Sequence, residues 1–249
     1  MADKIIRCFP KPNRAAIDEQ LQRAADSVPT PDDDGLLSVS EGELLSGLSE
    51  NVGDALSQVL QLLACGEESA MHVFYHEGDR IGTTQGSFLQ SQSIMYRVAK
   101  EETLHDEMLT RVSNLLPYDE RHHRLRKMAR LFYLKLAHHE PKYHFFRISE
   151  LDSVVCMIMH GVLSGTGQLR TLPVLARIAG RIRDDEAAHV RITHERVREL
   201  GMTLSERIAD ADPIRTLIVG MLSNAQEAFE TMGVDTDRMF KRILTRKVS

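Results

Sequence analysis

The chain has 249 residues, 42% of them hydrophobic and 27% charged, with a formal net charge of -5. That length holds one large domain or two small ones, and the composition is that of a globular protein. The acidic balance argues against a general affinity for nucleic acid or anionic membranes, and no apolar run approaches the about 20 residues that a membrane span needs.

The N-terminus, Met1 to Arg7, lacks the apolar core of a signal peptide. Cys8, Cys65 and Cys156 are scattered with no CxxC spacing. A sparse, odd set of this kind points to a reducing cytoplasm rather than a disulfide framework, with Cys65 and Cys156 as small core residues. Residues 1–50 read as an N-terminal extension with a short helix over Asn13–Ala25, a loop from Pro29 to Gly35, and another short helix within Ser38–Leu48 capped by Ser40.

Five long helices follow. The first spans about Val52–His76, with Leu56, Val59, Leu60, Leu63, Ala64, Ala70, Met71 and Phe74 close to a 3.6-residue period. Gly78 to Gly86 reads as a break. The second spans about Ser87–Leu115 and ends before Pro117. Asp119–His139 is amphipathic and basic on one side. Tyr143–Leu163, after Pro141, is apolar nearly all round. A turn at Ser164–Gln168 leads to a fifth helix over about Leu172–Leu200, with Pro173 in its first turn and Gly201 as its stop. The remainder reads as two further helices around Asp212-Pro213 with a break near Gly233, covering the bundle or forming a dimer contact. No strand pattern competes with helix. The expected units are 1–50, a bundle over 51–200, and a C-terminal segment over 201–249.

The chemistry lies in a repeat. Glu102-x-x-His105 is preceded by Glu101, and Glu186-x-x-His189 by Asp185. Residues three apart share a helix face, so each pair aims a carboxylate and an imidazole at one point. Each pair follows a helix with an acid near its middle: Glu67 or Glu68 in the first copy, Glu150 in the second. From Glu68 to Glu102 the chain counts 34 positions, and from Glu150 to Glu186 it counts 36. Both intervals bracket a turn almost evenly, so in antiparallel hairpins all six groups reach one level of a four-helix bundle. A third pair, Glu120-x-x-His123, opens a helix beside Arg124 and Lys127 and reads as a solvated face. The first two pairs lie on apolar faces, where carboxylates are costly to bury unless they bind something; metal is the simplest compensation, and ion pairs with Arg97 or Arg183 the plain alternative.

These motifs resemble the ferritin-like di-iron carboxylate superfamily, whose signature is Glu, a spacer, then (Asp/Glu)-Glu-x-x-His, repeated once. The resemblance covers about residues 52–200. It implies an all-α, ferritin-like four-helix bundle with extra N- and C-terminal helices, and a metal site of Glu68, Glu102, His105, Glu150, Glu186 and His189. Glu67 competes with Glu68: its face is the more apolar, while Glu68-Ser69 matches the Glu-Ser pair of rubrerythrin-like helices. Asp152 competes with Glu150, and His72 is within reach. A ligating imidazole donates its other N–H to a second carboxylate, which gives Asp185 to His105 and Glu101 to His189.

Four carboxylates and two imidazoles suit iron, with manganese also admitted, over zinc or copper(I). The resemblance therefore implies two iron ions, O2 as co-substrate, and oxidation of a small organic molecule by an oxidase or oxygenase, with an external electron donor; the sparse cysteines place it in the cytoplasm and the terminal additions suit a homodimer. Leu109 stands where the ribonucleotide reductase small subunit carries its radical tyrosine, Ile182 where N-oxygenases carry a third histidine, and rubrerythrin's CxxC pairs are absent. Two alternatives remain: a ferroxidase or peroxide-consuming protein without an organic substrate, and a helical interaction module with a vestigial metal site.

Overall fold

The computed structural model describes residues 28–29, 31–85 and 90–248. The helix expected over Asn13–Ala25 lies outside the described residues. A 3-10 turn at Leu36–Ser38 precedes a short α1 (Glu41–Leu44), whose N-terminus is closed by a reciprocal box between Ser40 and Glu43. The long helices are α2 (Glu50–Gln85), α3 (Gln90–Leu115), α4 (Glu120–Leu136), α5 (Pro141–Leu163) and α6 (Pro173–Glu199). The C-terminal segment adds α7 (Leu204–Leu222), α8 (Gln226–Thr231) and α9 (Thr236–Thr245). No strand occurs among the described residues.

Helix α2 does not break at Gly78. It continues to Gln85, because its glycines serve packing rather than turning. A Cβ on Gly78 would lie 2.7 Å from the Tyr96 ring, and one on Gly82 would lie 2.2 Å from Gln92 Nε2, both on α3. The bare backbone thus lets α2 and α3 pack closely. Helix α7 likewise runs through Pro213, where the sequence suggested an interruption. Pro141 and Pro173 instead start helices, where the missing N–H costs nothing. The break at Gly233 is present, with φ at +84°.

Two hairpins, α2–α3 and α5–α6, form the bundle. Helices α4 and α8 lie against α2, α7 lies on α5, and α9 rests on α7. Phe229, Met232 and Ile243 of the C-terminal segment are buried in the main core. Forked pairs from Arg147 to Asp210, at 2.8 and 2.9 Å, and a 2.6 Å pair from Lys142 to Glu206 tie α5 to α7.

The apolar side chains form two separate clusters, one at each end of the bundle. The larger takes Leu56–Leu63 of α2, Met108–Val112 of α3, Val154–Val162 of α5 and Leu175–Ile182 of α6. The smaller takes Phe74 to Ile81, Met95 to Ala99, Phe145 to Ile148, and Val197 of the same four helices. Residues 67, 102, 152 and 186 fall in the gap between them on every helix. The alternating direction of the four helices brings those positions to one height. Cys65 is fully buried on α2 and disulfide-bonded, which departs from the expectation of a plain core thiol; Cys156 is free. No helix among the described residues is long and apolar enough to cross a membrane.

Candidate metal centre

The gap between the two apolar clusters is filled by acids and histidines. Glu67, Glu102, His105 and Glu186 bring ligand atoms within 4.8 Å of one another, and all four are buried. His189 joins them from α6. Its Nδ1 lies 3.0 Å from Glu102 Oε1 and 3.7 Å from Glu186 Oε2. On the other side, His105 Nδ1 lies 3.8 Å from Glu102 Oε2, 3.7 Å from Glu186 Oε1 and 3.2 Å from Glu67 Oε2. Glu102 and Glu186 therefore each turn one oxygen toward each imidazole.

The remote nitrogens face outward to acids on the opposite hairpin, as the sequence suggested. His105 Nε2 lies 3.1 Å from Asp185 Oδ2, and His189 Nε2 lies 2.9 Å from Glu101 Oε2. Each of those acids is backed by an arginine one turn earlier: Arg181 Nε is 2.5 Å from Asp185, and Arg97 Nε is 3.7 Å from Glu101. The two halves thus repeat the same arginine–acid–histidine relay. With Nε2 directed to a carboxylate, the Nδ1 edge of each imidazole is turned to the centre.

Two expected positions lie elsewhere. Glu68 is buried but outside the cluster, within electrostatic reach of Arg126; Glu67 takes the place proposed for it. Glu150 is also buried, but Arg215 and Arg246 hold it at 2.6 and 2.7 Å on the side of α5 that faces α7 and α9. Asp152 instead lines the same cavity as Glu67, Glu102 and Glu186. His72 is not in the cluster. Glu120 and His123 are exposed, in keeping with a solvated face.

The electrostatics are those of acids crowded together in a buried layer. Burial pushes the Glu67 and Asp152 carboxyls well above the usual range, and neighbouring acid charges add to the effect. Glu186 moves up for the same reasons. Burial would raise Glu102 too, but its hydrogen bonds and charge interactions with His105 and His189 outweigh that and hold it low. Burial disfavours charge on both histidines, yet their acid partners raise them well above the ordinary imidazole value. Asp152 Oδ2 and Glu186 Oε2 are buried without a hydrogen-bond partner. Two unpartnered carboxylate oxygens in one buried, acid-rich layer are a costly arrangement for protein alone. They fit a cation, which satisfies them together.

A small cavity of about 30 Å3 adjoins the acids between α2, α4 and α5. Its wall is otherwise largely apolar, with Leu63, Ala70, Val73, Ile148 and Val155. Tyr133 of α4 also faces it, and sequence reading missed this residue. Its hydroxyl donates to Leu62 O at 3.2 Å, and burial among the acids raises its pKa well above normal. The signal available was Gly66 just before Glu67: a Cβ there would sit 2.6 Å from the Tyr133 hydroxyl.

No family model and no curated protein matches the chain. Among solved structures it is similar to an R2-like ligand-binding oxidase with an aerobically reconstituted Mn/Fe cofactor, at 12% identity and a TM-score of 0.42, with 93% of this chain and 89% of that chain covered. A single-site mutant of an R2-like ligand-binding oxidase, also with a reconstituted Mn/Fe cofactor, is 14% identical with a TM-score of 0.39, over 94% of this chain and 90% of that one. No residue role is carried across at that distance. By its own helix order, and by the two hairpins that deliver its acids and histidines to one level, the chain is an all-α, ferritin-like bundle.

Proposed function

We propose that the chain is a dinuclear non-haem metal oxidase or oxygenase that uses O2 to oxidise a small organic molecule. The observation that carries the reading is the pair Glu102 and Glu186, each offering one oxygen toward His105 and one toward His189. Carboxylates placed in that way suit two ions side by side. Glu67 and His105 would complete one position, Asp152 and His189 the other. Four carboxylates offset two divalent cations in full, which is favourable in a buried site where net charge is expensive. The donor set is oxygen-rich and sulfur-free, which suits iron or manganese.

A pair of redox-active ions supplies electrons to O2 when bound. The chain's own part is different. Asp185 and Glu101 orient the histidines with Nδ1 toward the centre. The two apolar clusters exclude bulk water from above and below. The small apolar cavity beside the acids marks the side from which a substrate would approach the centre, and the Tyr133 hydroxyl is one of the polar groups at its wall. Electrons for repeated turnover come from an external donor in this account.

The test is O2 uptake by iron-reconstituted protein, with a reductant and a panel of small apolar substrates, followed by mass analysis of products. Substrate-dependent O2 uptake with an oxidised organic product is the expected result. Sustained O2 consumption with excess Fe(II) and no organic product would instead identify a ferroxidase.

A further inference from the structure

The groove on the opposite side of α5 has no role in the account so far. It is open to solvent, has a volume of about 390 Å3, and runs between α5, α6 and the C-terminal helix α9. Ser153, Cys156 and Met157 form its floor, Val190 one side, and Arg242 and Arg246 the other. No acid lines it.

Its charge is set by the fate of Glu150. That single buried carboxylate receives Arg215 Nε at 2.6 Å and Arg246 Nη2 at 2.7 Å, so two guanidinium groups share one negative charge. Arg246 is further fixed because its backbone carbonyl accepts from Arg215 Nη1 at 2.5 Å. Arg242 lies one helical turn away, exposed, with no ion pair among the described residues. Nearby, burial lowers the pKa of His194, and Arg246, Arg198 and Arg207 push it the same way against Glu150. The surroundings thus carry a surplus of positive charge around one acid. An arginine held by Glu150 beside an exposed one, above a partly apolar floor, matches a ligand with an anionic head and a small apolar body.

We propose that this groove binds a small organic anion, its carboxylate or phosphate on Arg242 and Arg246 and its body over Met157 and Val190. The site is distinct from the cavity beside the acids. Its occupancy does not depend on the metal reading, since none of the residues that would hold the anion belongs to the cluster.

Calorimetric titration of the full chain, metal-free and metal-loaded, with benzoate, phenyl phosphate, inorganic phosphate and benzyl alcohol tests it. The expected result is binding of both aromatic anions, weaker binding of inorganic phosphate, and none of benzyl alcohol. Arg242→Glu should weaken both anions by about tenfold or more, the scale of one charge-assisted contact. Arg242→Gln gives a milder second variant, and Met157→Trp should weaken the aromatic anions by filling the floor. Anion binding no tighter than benzyl alcohol, or binding unchanged in folded Arg242→Glu and Arg242→Gln proteins, would overturn the proposal. An equal response in metal-free and metal-loaded protein separates its fate from that of the metal centre.

Discussion

Asp185 Oδ2 lies 3.1 Å from His105 Nε2, reaching across the bundle from α6 to a histidine on α3. Arg181 fixes the acid from behind. This contact holds the His105 ring with Nε2 toward Asp185 and Nδ1 toward the buried acids. Replacing Asp185 with Ala should lower metal affinity about 10- to 100-fold, as loss of an outer carboxylate does in other metal sites. Competition with a chromogenic chelator measures it. Wild-type affinity in that variant would mean that the relay is structural only.

The two buried acids of α5 should separate cleanly. Asp152→Asn removes a charge that burial and its acid neighbours already disfavour, so the metal-free protein should melt no lower than wild type while metal content falls. Glu150→Gln leaves Arg215 buried without its counter-ion. That change should destabilise the fold by about 3–5 kcal/mol, the usual scale for breaking a buried pair. Metal content of the remaining folded protein should be unchanged. Thermal unfolding and metal analysis on both variants check the pair, and the reverse pattern would restore Glu150 to the centre.

Gly66 gives a packing test. Alanine is the better helix former by about 1 kcal/mol, yet a Cβ there would press on the Tyr133 hydroxyl at 2.6 Å. Gly66→Ala should therefore cost about 1–3 kcal/mol, as overpacking does. Adding Tyr133→Phe removes the oxygen in the way and should recover part of the loss. A double-mutant cycle with strictly additive effects would show that the two residues do not meet.

The pair of Lys142 and Glu206 gives a pH signature. Hydrogen bonds from Lys142 and from Thr203 at the start of α7 hold Glu206 at about 2, below its ordinary 4.5. A depressed acid contributes stability above its unfolded value and loses it as pH falls through the folded one. The melting temperature of wild type should exceed that of Glu206→Gln at neutral pH, and the difference should shrink between about pH 4.5 and 2. A gap that widens on acidification would contradict the pairing.

How much of this was legible in the sequence follows from periodicity. The helices, their order, and the two Glu-x-x-His pairs rest on local spacing, and the cross-bundle contacts of Asp185 and Glu101 follow once two hairpins are assumed. The lone acids were harder, since single residues carry no spacing of their own. Glu67 sits with Leu60, Leu63, Ala70 and Phe74 on the more apolar face; that burial argument pointed to it, whereas the Glu-Ser likeness pointed to Glu68. Glu150 and Asp152 both lie on a helix buried nearly all round, so α5 offered no polar face to choose by. The choice was made by Arg215 and Arg246, distant in sequence and on segments with no readable motif. The glycines of α2 misled for the same reason: Tyr96 and Gln92, their packing partners, come from the next helix.

The central claim is that the acids and histidines of the buried layer hold two metal ions. Metal analysis of protein reconstituted anaerobically with Fe(II) and desalted tests it most directly. The account predicts about two ions per chain, with the Glu102→Ala, Glu186→Ala double variant reduced to almost none. Fewer than about one ion per chain in wild type, or retention of both ions in the double variant, would contradict it.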